Sequence, residues 1–142
     1  MFSYESQLRV RYADTDQMHV VYHAKFVEYF ESGRTESIRS LGISYKEIEE
    51  MGIYMPVVRI QCDFIRPGRY DDLLTIKTML MEIPSDHRIE FIQEAYNEIG
   101  KLICKANVLL YFMDASTNNK TIMPPALVDK LQPFFLMRET HD

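Results

Sequence analysis

The sequence predicts an α+β domain in which one long helix packs on an antiparallel sheet of about five strands. Two patterns predict it. Five runs alternate apolar and polar residues with a period of two, and one run repeats apolar or small residues every three or four positions. The later alternating runs are joined by short turns, which favour antiparallel neighbours. At 142 residues, 46% of them hydrophobic, the chain is expected to form a single domain over residues 1–142.

The first elements are a strand and the long helix. From Tyr4 to Tyr12 the chain alternates, with Leu8 and Val10 on one side. A helix is predicted over Val21–Leu41 and should end at Gly42, a residue that commonly follows a helix. Its inward stripe consists of Phe26, Phe30, Gly33, Ser37 and Leu41. The small residues in this stripe predict that the helix lies close to the sheet.

The other elements follow from local signals. Ser44 and Glu47 have the spacing of a capping box and predict a short helix that Gly52 closes. Alternation and turn residues predict four further strands, near residues 57–64, 73–83, 87–98 and 102–113. A last short helix is predicted over Ala126–Phe135, after two prolines.

Charge, apolar runs and cysteines limit the possible functions. A net charge of −5 and a pI of about 5.4 argue against general nucleic-acid binding, which needs a basic face. The N-terminus has no apolar signal core, and the longest apolar run, Val108–Met113, is too short to span a bilayer. Two cysteines in strand-like runs, Cys62 and Cys104, suit a reducing compartment. We therefore expect a cytoplasmic protein without membrane insertion.

The segment between the first strand and the long helix concentrates polar residues. It contains Asp14, Asp16, His19 and His23, which fit a helix-starting turn, a metal site or an acid beside an anion-binding helix end. His19 should precede the helix, so its spacing from His23 does not place both residues on one helix face. No other His/Cys cluster completes a ligand set for a metal. We expect no metal and no cofactor.

The run RVRYADTDQMHVVYHAKFVEYFESGRTESIR, followed at the expected distance by YDDLLTIKT, resembles the 4-hydroxybenzoyl-CoA thioesterase family of hotdog-fold acyl-CoA thioesterases. The resemblance covers nearly the whole chain. Where the family pattern commonly has glycine, asparagine and tyrosine, this sequence has His19, Lys25 and Phe26. The resemblance implies a curved antiparallel sheet wrapped around one long helix. It also implies a homodimer joined through sheet edges, or a dimer of dimers, with active sites between subunits.

The resemblance further implies an acyl-CoA thioesterase. It gives Asp16 as the nucleophile or general base and the backbone N–H of His23 as the donor to the thioester oxyanion; the role of the His23 side chain stays open. Tyr22, Lys25, Phe26 and Arg59 are candidate substrate-binding residues, and Arg66, Arg69 and Arg88 could also meet the phosphates of coenzyme A. The alternatives are an acyl-carrier-protein thioesterase, a non-catalytic module that binds acyl thioesters, and a dehydratase, which the order of Asp16 and His23 fits poorly.

Overall fold

The computed structural model describes residues 1–139, which contain seven strands and three helices. The strands are β1 (Phe2–Arg9), β2 (Ile53–Tyr54), β3 (Val57–Phe64), β4 (Leu73–Leu80), β5 (Arg88–Tyr96), β6 (Leu102–Tyr111) and β7 (Met113–Asp114). The helices are α1 (Lys25–Ser40), α2 (Tyr45–Glu50) and α3 (Pro125–Glu139). The predicted α+β class is confirmed.

Five strands form one antiparallel sheet in the order β1-β4-β5-β6-β3, and β2 pairs with β7 in a separate two-stranded ribbon. The alternation of β6 decides which face is buried. Its residues Cys104, Ala106, Val108 and Leu110 are all buried, as is Phe112 just beyond the strand. The core therefore lies between this face of the sheet and α1.

Helix α1 packs closely on the sheet, as its small residues predict. All five residues of the predicted stripe are buried. A Cβ atom at Gly33 would lie 2.6 Å from Cγ2 of Ile76, so glycine is required for this approach. Polar groups also join the two layers: the Gln93 side-chain amide donates to Phe30 O and to Thr78 Oγ1, both at 2.9 Å.

Several boundaries differ from the predictions, and one pair of short strands was not predicted. The strands predicted near residues 73–83 and 102–113 end earlier, at Leu80 and Tyr111. The first strand ends at Arg9 rather than Tyr12, because Arg11 to Asp14 turn tightly and leave Tyr12 80% exposed. Helix α1 begins at Lys25 rather than Val21, because the backbone of Val21 is held in an extended conformation by neighbouring segments. The ribbon of β2 and β7 was not predicted, since two-residue strands carry no periodic signal.

The prediction of one long helix is not confirmed. Helix α3 has 15 residues against 16 in α1, although a short helix ending at Phe135 was predicted. This helix lies along β1, where the Phe2 and Phe134 rings meet at 4.9 Å between centroids. None of the helices in residues 1–139 is long and apolar enough to cross a membrane.

Candidate active site

The turn that carries Asp16 is built from its own backbone. Asp16 N–H donates to Val20 O, and His19 N–H donates to Asp16 O, each at 2.9 Å. Met18 N–H donates to Oδ1 of the Asp16 side chain at 2.9 Å. The chain reverses at His19, whose φ of 66° lies in the left-handed region that favours glycine. This is the position at which the family pattern has glycine, so the tight turn is kept with histidine.

Neighbouring segments fix the chain between this turn and α1. Val21 N–H donates to Gly68 O at 2.8 Å, and Tyr22 N–H donates to Asp14 O at 2.9 Å. The N–H of Tyr22 is therefore occupied. Within residues 1–139, the backbone N–H groups of His23 and Ala24 have no hydrogen-bond acceptor. They lie just ahead of the first residue of α1, where the helix dipole adds partial positive charge.

Asp16 and His23 line the same cleft, which has a volume of about 300 Å³. We call it the Asp16 cleft. Its wall is largely apolar, and its lining residues are Asp16, Met18, Val20, Val21, His23, Phe26, Phe64, Ile65, Arg66, Pro67 and Gly68. The Phe64 ring lies 6.1 Å from the His23 ring and 5.9 Å from the Phe26 ring, between centroids. An apolar cleft with one carboxylate suits an apolar ligand that reacts at one end.

Asp14 does not line this cleft but holds the turn that carries Asp16 to α1. Its side chain is buried, and its Oδ2 accepts from Tyr29 Oη at 2.8 Å and from Arg11 N–H at 3.1 Å. Burial by itself would raise the pKa of Asp14, but the hydrogen bonds from Arg11 and Tyr29 outweigh it and lower the pKa. Burial, followed by donation to Asp14, raises the pKa of Tyr29. The carboxylate of Asp14 is thus ionised and fully engaged in holding the turn to α1.

The other predicted residues are placed differently. Tyr22 is 47% exposed, with its ring 4.5 Å from the His23 ring. The Lys25 ammonium lies 2.9 Å from Glu28 and 3.9 Å from Asp14, and it does not line the cleft. Arg59 lines a separate groove with Arg88, whose guanidinium pairs with Asp86 at 2.7 Å. One chain therefore brings Asp16, His23 and Phe26 together but places Arg59 elsewhere.

The structure adds cleft residues that the sequence had not singled out for this site. Phe64 follows the alternation of β3, and Gly68 lies in the turn after β3. Only the return of this segment against Val21 shows that both belong here. Arg66 was one of several candidate arginines; it lines the cleft while its Nη1 donates to Leu102 O at 2.8 Å. Among the side chains that the structure describes, no three of His, Cys, Asp or Glu are grouped as a metal site would require.

Residues 10–131 match the family model of the thioesterase-like superfamily. Among curated proteins, the chain is similar to a putative acyl-CoA thioesterase, YneP, of Bacillus subtilis, with 34% identity over 72% of this chain and 73% of that protein. It is also similar to the acyl-CoA thioester hydrolase YbgC of Escherichia coli, with 30% identity over 85% of this chain and 90% of that protein. Among solved structures, a DHNA-CoA thioesterase from Staphylococcus aureus superposes with a TM-score of 0.88 and 25% identity over 100% of this chain and 97% of that one.

Proposed function

Because this chain belongs to the thioesterase-like superfamily, we propose that it hydrolyses acyl-CoA thioesters to a carboxylic acid and coenzyme A. Its similarity to acyl-CoA thioesterases supports a thioester hydrolase. The observation that carries the catalytic proposal is that Asp16 lines one cleft with His23, whose backbone N–H has no acceptor within residues 1–139. A carboxylate and a free donor at a helix start are the two groups that thioester hydrolysis needs.

In the proposed reaction the thioester carbonyl lies between these two groups. The His23 N–H, aided by the dipole of α1, donates a hydrogen bond to the carbonyl oxygen and stabilises the negative charge that develops there. Asp16 either attacks the carbonyl carbon or takes a proton from the attacking water. In both cases the C–S bond breaks, coenzyme A leaves as the thiol, and one water molecule is consumed. The Asp16 Oδ2 atom, which accepts no hydrogen bond within residues 1–139, is suited to either role.

We place the acyl group along the apolar wall of the Asp16 cleft, against Phe26 and Phe64. Arg66, at the same cleft, is the arginine best placed in one chain to meet a coenzyme A phosphate. Arg59 lies in the separate groove, so its role in substrate binding requires a second copy of the chain. The proposed location is the cytoplasm, which the free thiols of Cys62 and Cys104 support.

The proposed assembly is a homodimer, or a dimer of such dimers, joined through β3. Both β1 and β3 are edge strands, but α3 packs beside β1. The edge of β3 is bare and apolar: Val57, Val58 and Phe64 are between 43% and 52% exposed. An exposed apolar edge strand is a ready site for strand pairing. Light scattering at micromolar concentration should give an even multiple of the 16.8 kDa chain mass, and a clean monomer would contradict this assembly.

The function is tested by release of free thiol from short, long and aryl acyl-CoA and from acyl-carrier-protein thioesters, with Asp16→Asn as the inactive control. Hydrolysis of CoA thioesters that depends on Asp16 supports the proposal. Preferential hydrolysis of the carrier-protein thioesters would make the chain an acyl-carrier-protein thioesterase. Binding of acyl thioesters without thiol release by either protein would make it a non-catalytic binding module.

A further inference from the structure

A second cleft lies between α1, α2 and the start of β3 and has a volume of about 320 Å³. We call it the Arg34 cleft. Its lining residues are Glu31, Arg34, Thr35, Tyr45, Glu49, Met55, Val57 and Leu110. The proposed function so far gives it no role.

Two neighbouring polar groups in this cleft, Arg34 and Tyr45, make fewer hydrogen bonds than their burial calls for. The Arg34 side chain belongs to a residue that is only 4% exposed, yet its single hydrogen bond to a described residue is from Nη1 to Gln93 Oε1 at 3.0 Å. No carboxylate among the described residues lies within salt-bridge distance of it. The Tyr45 hydroxyl is buried and lies beside the Arg34 guanidinium, but it makes no hydrogen bond of normal geometry to a described residue. Buried polar groups are rarely left in this state, because each loses its hydration without replacement.

The unused donors specify the kind of ligand that would relieve them. A guanidinium and a hydroxyl together offer hydrogen bonds to an oxygen acceptor. Glu31 and Glu49 line the same cleft and are exposed. Their negative charges disfavour binding of a negatively charged ligand there. Met55, Val57 and Leu110 supply apolar wall. This combination suits a hydrocarbon group that carries a neutral oxygen, such as a hydroxyl or a carbonyl.

Pairing through β3 would place this cleft beside the Asp16 cleft of the other copy. Cys62 and Phe64 pair with the buried residues Ala106 and Cys104, so they lie on the helix face of the sheet. A register shift between Val57 and Arg59 puts Val57 on the same face, where it pairs with Leu110. If two copies of β3 (Val57–Phe64) pair antiparallel along their full length, Val57 of one copy lies near Phe64 of the other. Val57 lines the Arg34 cleft and Phe64 lines the Asp16 cleft, so the two clefts would adjoin.

We infer that the Arg34 cleft of one copy binds the far end of the acyl group whose thioester lies at Asp16 of the other copy. Arg34 and Tyr45 then select acyl groups with a neutral oxygen at that end. This inference rests on the proposed function and on the proposed assembly through β3.

The test compares matched substrates in wild type and Tyr45→Phe. The substrates are straight-chain acyl-CoA thioesters of increasing length and benzoyl-CoA, each beside a counterpart with a hydroxyl at the far end. Wild type should prefer a hydroxylated member. Tyr45→Phe should lower kcat/KM for that member by about three- to tenfold relative to its plain counterpart, since one hydrogen bond to a neutral group is lost. The matched control is Tyr54→Phe, because Tyr54 is 52% exposed and lines neither cleft; its selectivity should equal that of wild type.

The variant should fold normally, because the lost hydroxyl makes no hydrogen bond of normal geometry and only adjoins the Arg34 guanidinium. Urea unfolding of Tyr45→Phe should therefore give a midpoint close to that of wild type. If wild type shows no preference and Tyr45→Phe affects both members equally, the inference fails while the proposed function stands. If wild type releases thiol from neither member, both the proposed function and the inference fail. A counterpart with a terminal carboxylate is assayed beside each hydroxylated member, and a preference for it would overturn the neutral-oxygen part.

A mixed dimer tests whether the two clefts act across copies. Chains carrying Asp16→Asn and Tyr45→Phe are co-expressed with different tags and the mixed dimer is purified. Its only working Asp16 belongs to the Tyr45→Phe chain. If the clefts combine across copies, that Asp16 is served by an intact Tyr45, and the selectivity between matched substrates should equal that of wild type. The selectivity of the Tyr45→Phe homodimer would show instead that both groups act within one chain.

Discussion

Two aspartates separated by one residue in the turn before α1 have opposite surroundings. Asp14 is 3% exposed and accepts hydrogen bonds from Tyr29 and from both the backbone and the guanidinium of Arg11. Asp16 is half-buried, accepts one backbone hydrogen bond from Met18 and lines a cleft. The carboxylate with the most protein partners has no capacity left for a substrate, whereas the less satisfied one does. We therefore expect Asp14 to contribute to stability and Asp16 to catalysis.

The largest expected effect is on the turnover of Asp16→Asn. The amide keeps the shape of the side chain and the contact with Met18 but is neither a nucleophile nor a base. Positioned acid–base groups contribute about 10²–10⁴-fold in rate, so kcat should fall by that factor, equivalent to about 3–5 kcal/mol. Thiol release measures the rate, and urea unfolding should differ from wild type by less than about 0.5 kcal/mol, as for surface substitutions. A fall in stability with unchanged kcat would reverse the roles of the two aspartates.

Asp14→Asn should show the opposite balance. Asn retains one acceptor oxygen where Tyr29 and Arg11 now share a carboxylate, so buried hydrogen bonds to a charged group are lost. The free energy of unfolding should fall by about 2–3 kcal/mol, measured by urea unfolding at neutral pH. Tyr29→Phe is the matched control, because it removes one donor and leaves the carboxylate; its loss should be smaller. Unchanged stability in both variants would contradict the structural role of Asp14.

The contribution of Asp14 should also depend on pH in one direction. Its pKa is lowered from 3.8 in the folded chain, so the folded state binds this proton less readily than the unfolded state. The stabilisation is complete above the unfolded pKa and is lost as pH falls through the lower folded pKa. The stability difference between wild type and Asp14→Asn should be constant from about pH 7 to pH 5 and should shrink below about pH 4. A difference that grew on acidification would contradict the sign of the shift.

A smaller effect is expected for His23→Ala. The proposed oxyanion donor is the backbone N–H, which alanine retains, and the dipole of α1 is unchanged. Thiol-release assays should give a kcat within about threefold of wild type, well below the loss expected for a general base. A loss equal to that of Asp16→Asn would mean that the imidazole carries the chemistry instead.

The smallest effect is expected for His19→Gly. At φ 66° a side chain costs about 1–2 kcal/mol, and the greater freedom of glycine in the unfolded chain offsets about 0.5–1 kcal/mol of the gain. The free energy of unfolding should rise by about 0.5 kcal/mol, and activity should be retained. Lower stability would show that the imidazole makes a contact that outweighs the backbone cost.

Periodic elements were predictable because their signals are local. The stripe of α1, the buried face of β6 and the Ser44 cap of α2 all follow from residue spacing, and the structure confirms them; Glu47 N–H donates to Ser44 Oγ at 3.1 Å. The start of α1 was not predictable. Val21 fits a helical pattern, but its N–H is taken by Gly68, which lies far along the chain. A long-range hydrogen bond of this kind leaves no mark in local periodicity.

The residues of the candidate site also divide into those that a local motif predicts and those that only the tertiary structure brings to the cleft. Asp16 and His23 were proposed from the sequence because they lie within one short motif, and its resemblance to the family favoured Asp16 over Asp14. Phe64 and Gly68 reach the cleft only because β3 and the following turn fold back against Val21. Arg34 and Tyr45 gave no signal, since an arginine on a helix is most often solvated.

The sequence by itself therefore determined the fold class, the buried faces and the motif that contains the acid, because side-chain periodicity and turn chemistry act over a few residues. The tertiary structure decided which aspartate is buried and which is available, where α1 begins, and that β3 is a bare edge. The physical reason is that burial and hydrogen bonding depend on segments distant in sequence. Two carboxylates two residues apart acquire different surroundings when a tyrosine from α1 reaches only one of them.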